Sequence, residues 1–233
     1  MKNVLIVALL FGWVSTSLAE GDSDIYMTMD GDGIEGSYPE YEDICEGEGV
    51  REPSMSDREY ADFIIEFQKT ECAFTFEVGG TGFGGGTVFY VTDKGHHGLE
   101  IAPGHFSGIK WGCYGGSVKG AMKENIGSGQ ENTNEVLSKC EIGSKEYTSF
   151  ELVDRYEENG FDDWYVPSIL ELHEIYDALG ELEMSTHAGY YDKYFWSSTN
   201  ENSTYAHSRN LVNGHKVYAK KELALSILPI RSF

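Results

Sequence analysis

The stretch Asp163-Trp164-Tyr165-Val166-Pro167-Ser168-Ile169-Leu170-Glu171-Leu172-His173-Glu174-Ile175-Tyr176-Asp177-Ala178-Leu179-Gly180 carries the plainest helix in the chain. Ser168 and Glu171 have capping-box spacing, in which the serine side chain accepts from the third helical N–H and the glutamate reaches back. Leu172, Ile175, Tyr176 and Leu179 extend an apolar stripe at helical spacing, and Gly180 supplies the stop. Toward the N-terminus, Thr148 with Glu151 repeats the box, with Phe150, Val153 and Tyr156 facing inward and Gly160 as the expected end. Asn132 with Glu135 resembles another. Ser56-Asp57-Arg58-Glu59 opens a further helix whose Tyr60, Phe63, Ile64 and Phe67 share one face, a stripe expected to pack against the domain that follows.

Between these helices the period changes. Phe74, Phe76 and Val78 alternate as in a strand, a glycine-rich bend follows, and Val88-Phe89-Tyr90-Val91 reads as a buried strand. The bend, Gly80-Thr81-Gly82-Phe83-Gly84-Gly85, matches the GxGxxG dinucleotide fingerprint, but that motif needs a helix after it to meet a pyrophosphate. Here a strand follows, so a strand-to-strand turn is expected. Beyond Gly180, segments rich in Tyr, Ser, Thr and Asn lead to residues 225–233, read as a final strand. The order of strand, helices and strands predicts an α+β domain.

Residues 1–19 have the form of a cleavable export signal. Lys2 provides the positive start, residues 4–14 the apolar run, and Ser17-Leu18-Ala19 a small-x-small cleavage site, so the mature chain is expected to begin near Glu20. No later apolar run has the roughly 20 residues needed to span a bilayer, so membrane insertion is not expected. The expected location is secreted, periplasmic or cell-surface. In an oxidising compartment Cys45, Cys72, Cys113 and Cys140 favour two disulfides over a metal site. Three pairings are open; Cys45 with Cys72 and Cys113 with Cys140 is preferred because each pair then falls within one segment.

The 233 residues carry 39 acidic and 17 basic side chains, a net charge of −22. Nucleic acid is excluded as a partner, since phosphate neutralisation needs a basic patch. The 13% aromatic content argues against a wholly disordered chain. Residues 20–72 hold 17 acidic and 3 basic side chains, so the imbalance sits mostly in an N-terminal appendage. Residues 20–55 read as an acidic extended arm and 56–77 as a helix and connector. Within the arm, Asp30, Asp32 and Glu35 are a candidate calcium set, because clustered carboxylates supply the oxygen ligands that ion takes. The register does not fit an EF-hand loop, and a solvated acidic turn is the plainer account. No other cofactor is implied.

Six blocks then occur in order: Gly84-Gly85-Gly86-Thr87-Val88-Phe89-Tyr90-Val91; His97-Gly98-Leu99-Glu100; Trp111-Gly112-Cys113-Tyr114-Gly115; Asp163-Trp164-Tyr165-Val166-Pro167-Ser168; Phe195-Trp196-Ser197-Ser198-Thr199; and Pro229-Ile230-Arg231-Ser232-Phe233. In these blocks residues 78–233 resemble the C-terminal domain family of the Legionella collagen-like adhesin, a widespread exported bacterial domain. The resemblance implies a C-type lectin-like fold, similar also to that of formylglycine-generating enzymes. That fold has a small antiparallel sheet where the chain ends meet, flanking helices and a long loop region that carries binding. The resemblance also implies that Cys113 and Cys140 pair. The founding member's sulfated glycosaminoglycan ligand does not carry over, because this chain lacks clustered Arg and Lys. Trp111, Trp164 and Trp196 are expected in the core, Asp163 as an acceptor of backbone hydrogen bonds, and Arg231 as the partner of a buried carboxylate.

No catalytic constellation stands out, and the late cysteines that formylglycine-type enzymes use are missing after Cys140. His96-His97 is a weak metal pair, because neighbours in a strand point to opposite sides. The expected function is non-enzymatic: adhesin-like recognition of a glycan or a cell-surface protein. Its expected ligand-binding residues are Tyr190, Tyr191, Tyr194, Glu201, Asn202, Tyr205 and His207, where aromatics and short polar groups intermix. The alternative is an assembly subunit, a homo-oligomer joined through the acidic arm and the helix at 57–70.

Overall fold

The computed structural model describes residues 52–69, 74–140, 147–180 and 193–233. All of these belong to one compact unit, Tyr41–Phe233. Chain order runs α1 (Asp57–Phe67), β1 (Thr87–Thr92), β2 (His97–Ile101), β3 (Phe106–Lys110), α2 (Gly129–Lys139), α3 (Ser149–Asp154), α4 (Ile169–Leu179), β4 (Tyr194–Asn200), β5 (Tyr205–Asn210), β6 (Lys216–Lys220), β7 (Ala224–Ile227) and β8 (Ile230–Ser232). The fold is mixed α+β. A small antiparallel sheet, ordered β1-β2-β8, stands beside a five-stranded sheet ordered β3-β7-β4-β5-β6, and helices flank both. Within the larger sheet β4 and β7 run parallel, in register at Phe195 and Ser226.

The capping boxes at Ser56, Thr148 and Ser168 all form, each with its glutamate three residues on. Asn132 caps nothing. Helix α2 begins earlier, at Gly129, and the Asn132 side chain lies buried inside it, bonded to both backbone groups of Lys123 and to Ser198 Oγ. Gly160 does not end α3 either. That helix stops at Asp154, whereas Asn159 (φ +49°) and Gly160 (φ +83°) form a tight turn between the bridged residues Glu158 and Phe161. Residues 74–77 form no strand; the rings of Phe74 and Phe76 instead pack edge-on against Phe83. The expected last strand is two strands. Pro229 cannot donate to a ladder, and there the chain passes from β7 in the large sheet to β8 in the small one.

Three apolar clusters hold these layers together. The largest sets Trp111, Phe150, Val153, Trp164, Val166 and Trp196 against Ala206, Leu225 and Ile227. A second joins Phe89, Leu99, Ile101, Leu172, Ile175, Phe195 and Ile230 between the small sheet and α4. The third buries Ala61 and Ile64 of α1 against Phe161, so the α1 stripe does pack on the rest of the unit. The three tryptophans are core residues, each donating its indole N–H to a carbonyl: Trp111 to Ser197 (2.7 Å), Trp164 to Phe161 (3.0 Å) and Trp196 to Ile109 (2.9 Å).

The glycine-rich bend turns out to be a carboxylate cradle. Gly84 and Gly86 donate backbone N–H groups to the buried Glu100 (2.9 and 3.2 Å). A Cβ on Gly84 would stand 2.7 Å from the Trp164 ring, so the bend needs glycine to come this close. Glu100 also accepts from Arg231 Nη1 at 2.7 Å. Arg231 meets Asp163 with two further bonds, from Nε (2.7 Å) and Nη2 (3.1 Å), and lies 3.9 Å above the Phe161 ring. Asp163 therefore accepts from a guanidinium and not from backbone as expected. Burial alone would lower the Arg231 pKa, but Asp163 and Glu100 outweigh it and hold the pKa above its ordinary value.

A disulfide joins Cys113 to Cys140 at the end of α2, with a Cα–Cα distance of 5.5 Å. Cys45, Cys72 and the acidic set Asp30, Asp32 and Glu35 lie outside the described residues. Among the described residues, no helix is long and apolar enough to cross a membrane.

Candidate functional site

The segment 193–207 divides between core and surface. Strand β4 is buried from Phe195 to Asn200, and Tyr194 packs half-buried against the largest cluster, so Tyr194 is a framework residue. Tyr190 and Tyr191 lie outside the described residues. The remaining expected residues, Glu201, Asn202, Tyr205 and His207, come together at the β4–β5 turn and along β5. Asn202 shapes that turn: its Oδ1 accepts from the N–H groups of Thr204 (2.8 Å) and Tyr205 (3.0 Å), the local side-chain turn that asparagine favours.

Strands β5 and β6 pair antiparallel, with Tyr205 opposite Lys220, His207 opposite Tyr218 and Arg209 opposite Lys216. Side chains alternate along a strand, so these six residues share one face, while Ala206 and Ala219 point into the core. Tyr218 is 58% exposed, and the His207 ring meets its ring edge-on at a centroid separation of 4.9 Å. The imidazole itself is buried between two carboxylates. Nε2 lies 2.9 Å from Glu201 Oε2, and Nδ1 lies 3.5 Å from Glu124 Oε1. Glu124 is held in turn by Lys216 Nζ at 3.2 Å.

This geometry fixes a histidine but does not build a metal centre. The two carboxylates approach opposite edges of the ring, so an ion on one nitrogen would meet only one of them. Among the described residues no group of three His, Cys, Asp or Glu side chains is placed to hold a metal ion. What the arrangement can do is present a rigid polar centre, His207 with Glu201 and Glu124, beside the exposed face of Tyr218 and the half-exposed Tyr205.

Beneath this face, a loop at 112–118 braces the sheet. Gly115 donates to the Ser203 carbonyl (2.9 Å), and Ser117 Oγ meets Asn200 Nδ2 (3.4 Å). The Gly116 carbonyl accepts from Lys221 Nζ at 2.9 Å. Lys221 is 0% exposed, with its ammonium 4.3 Å from the centroid of the Trp111 ring. Burial pushes its pKa down from 10.5 to about 8.

Glu124, Lys216, Tyr218 and Lys221 were not among the sequence candidates. Lys216-Val217-Tyr218-Ala219-Lys220 does alternate polar and apolar residues, a strand signature that places its three polar members on one face. Glu124 had no such signal, because it reaches His207 only through tertiary packing. One pocket, of about 350 Å³, opens elsewhere, beside the small sheet, between Tyr90, His97, Leu99, Ile126 and Phe233. None of the expected ligand residues lines it.

The described structure thus defines a mixed α+β protein with a small antiparallel sheet, flanking helices and one internal disulfide. No family model matches the chain, and no curated protein matches it.

Proposed function

We propose that this protein is an exported, non-enzymatic recognition module with a C-type lectin-like fold. Its contact face is the outer side of β5 and β6 together with the β4–β5 turn. The observation that carries the reading is the exposed Tyr218 lying edge-on to a buried His207 whose Nε2 is hydrogen-bonded to Glu201, with Glu124 3.5 Å from Nδ1. A flat aromatic surface beside immobilised hydrogen-bonding groups binds at low entropic cost and suits the ring faces and hydroxyls of a glycan. A protein surface is the other ligand this face suits. The lectin-like reading draws support from β8, at the chain's end, pairing with β2 in the small sheet, as the resemblance implies. The net charge of −9 over residues 73–233 favours neutral or basic ligands.

The test is a glycan array probed with the full chain, followed by titration of the hits. Tyr218→Ala and Glu201→Gln should each weaken saturable binding at least tenfold without a change in thermal unfolding. Binding that survives both substitutions would place the contact face elsewhere. The assembly alternative rests on α1, whose apolar stripe is largely taken up by Phe161 and Phe83 within the same chain.

A further inference from the structure

We propose that loop 112–118 is a redox-released latch closed over a cryptic amine, Lys221. This goes beyond the recognition reading and does not depend on it. The latch is bonded to the sheet at three points: Gly115 to the Ser203 carbonyl, Gly116 to Lys221 Nζ, and Ser117 to Asn200. Its outer side, residues 114–117, is exposed, and the two cysteines of its covalent tie, Cys113–Cys140, are partly exposed at the rim of the largest cluster. The latch backbone is also constrained. Gly112, Cys113 and Gly115 all have positive φ (101°, 50° and 87°), and for Cys113 that is a conformation a side chain seldom takes.

What lies beneath favours opening. Lys221 is a buried ammonium whose acceptor is a single backbone carbonyl, with the Trp111 ring on one side and no carboxylate among the described residues within ion-pair reach. A buried charge without a counter-charge regains its hydration once water reaches it. The disulfide holds the cover in place against that gain. A dithiol reductant, free or on an oxidoreductase, would break it. The S–S bond is cleaved, Cys113 and Cys140 each gain a proton and become thiols, and the dithiol is oxidised to its own disulfide. With the tie gone, the latch lifts, Lys221 becomes an accessible nucleophilic amine, and the β4–β5 turn loses its brace at Ser203.

The experiment is amine acylation of the folded full chain with an activated acetyl ester, mapped by mass spectrometry, with the exposed neighbour Lys220 as internal standard. In the oxidised protein Lys221 is expected to react at least tenfold more slowly than Lys220. After dithiothreitol treatment, or in the Cys113→Ser/Cys140→Ser variant, the two are expected to react within threefold of each other. Backbone amides of β2 should lose protection only as far as global stability falls, and should stay at least tenfold better protected than the Gly115 amide throughout. In Lys221→Met, where no charge is left to hydrate, the Gly115 amide should stay at least tenfold better protected after reduction than in the wild type. Continued protection of Lys221 after reduction would overturn the latch, and so would β2 protection falling to the level of Gly115, which would make the disulfide a global staple. Equal Gly115 exchange in the two reduced proteins would remove Lys221 as the driving group.

Discussion

Raising the pH from 7 toward 10.5 is expected to stabilise this protein through one residue, Lys221, and the size of the gain follows from its burial. An unfolded lysine titrates near 10.5, and burial brings Lys221 down to about 8 in the folded state. Below pH 8 the amine is protonated in both states, and the whole penalty of burying the charge is present. Between 8 and 10.5 the unfolded chain holds the proton and the folded chain does not, so stability rises with pH across that window. At about 1.4 kcal/mol per pH decade the gain is about 3 kcal/mol. The Trp111 face opposes part of it, because a cation–π contact contributes about 1 kcal/mol to the charged form. A net rise of about 2 kcal/mol is therefore the working figure. The assay is urea unfolding of the oxidised protein at pH steps from 7 to 10.5, repeated on Lys221→Met and expressed as the difference between the two. Other titrating groups cancel in that difference. Lys221→Met is expected to be more stable than wild type at pH 7 and to lose the advantage by pH 10.5, since the orphaned Gly116 carbonyl costs it about 1 kcal/mol. Parallel stability curves for the two proteins would refute the reasoning and place the amine in water.

Glu100→Gln leaves Arg231 with Asp163 as its one remaining charged partner, and urea unfolding should register a loss of about 3 kcal/mol, as for one member of a buried pair. Gly84→Ala forces a methyl to 2.7 Å from the Trp164 ring; calorimetry should find it destabilised by about 2 kcal/mol. Glu171 is buried at the start of α4, and desolvation raises its pKa from 4.5 against the backbone N–H bonds that cap the helix. Its stabilising contribution is complete below pH 4.5 and is lost as pH climbs through the raised value. Unfolding of Glu171→Gln, which keeps the capping oxygen, should therefore lack that decline. Removing the Cys113–Cys140 tie by double serine substitution should lower stability by about 3 kcal/mol on the chain-entropy model.

Local chemistry was legible in the sequence, and tertiary chemistry was not. The capping boxes at Ser56, Thr148 and Ser168 could be read because donor and acceptor sit three residues apart and need nothing else. Asn132 offered the same local pattern, but its amide is claimed by Lys123 and Ser198, which no local rule anticipates. Gly160 was readable as a breaker, but not as half of an Asn-Gly turn facing α1. In the site, Glu201 and His207 could be found because they lie on one hairpin. Glu124 is distant in sequence and arrives because Lys123 is pinned by Asn132 and Thr199. The glycine bend was readable as a turn ahead of β1, yet its cargo, the Glu100 carboxylate, was invisible without the small sheet that brings β2 beside it.

Three buried cations among the described residues distinguish framework from device. Carboxylates outnumber cations 22 to 13 over residues 73–233, so a buried cation here has ample opportunity to be paired. Arg231 takes it, with two carboxylates and a ring, and its high pKa marks a charge that never leaves. Arg209 donates to the Gly214 carbonyl and Lys221 to that of Gly116, and burial depresses the pKa of both. A neutral acceptor holds a cation far more weakly than an ion does, so these two charges are held less firmly than that of Arg231, although the Asp177 charge offsets part of the desolvation at Arg209. Both lie along the β5–β6 ribbon that carries Tyr218 and His207, whereas Arg231 lies at the small sheet. The two weakly held cations and the proposed recognition face therefore share one ribbon, and the fully paired Arg231 lies outside it.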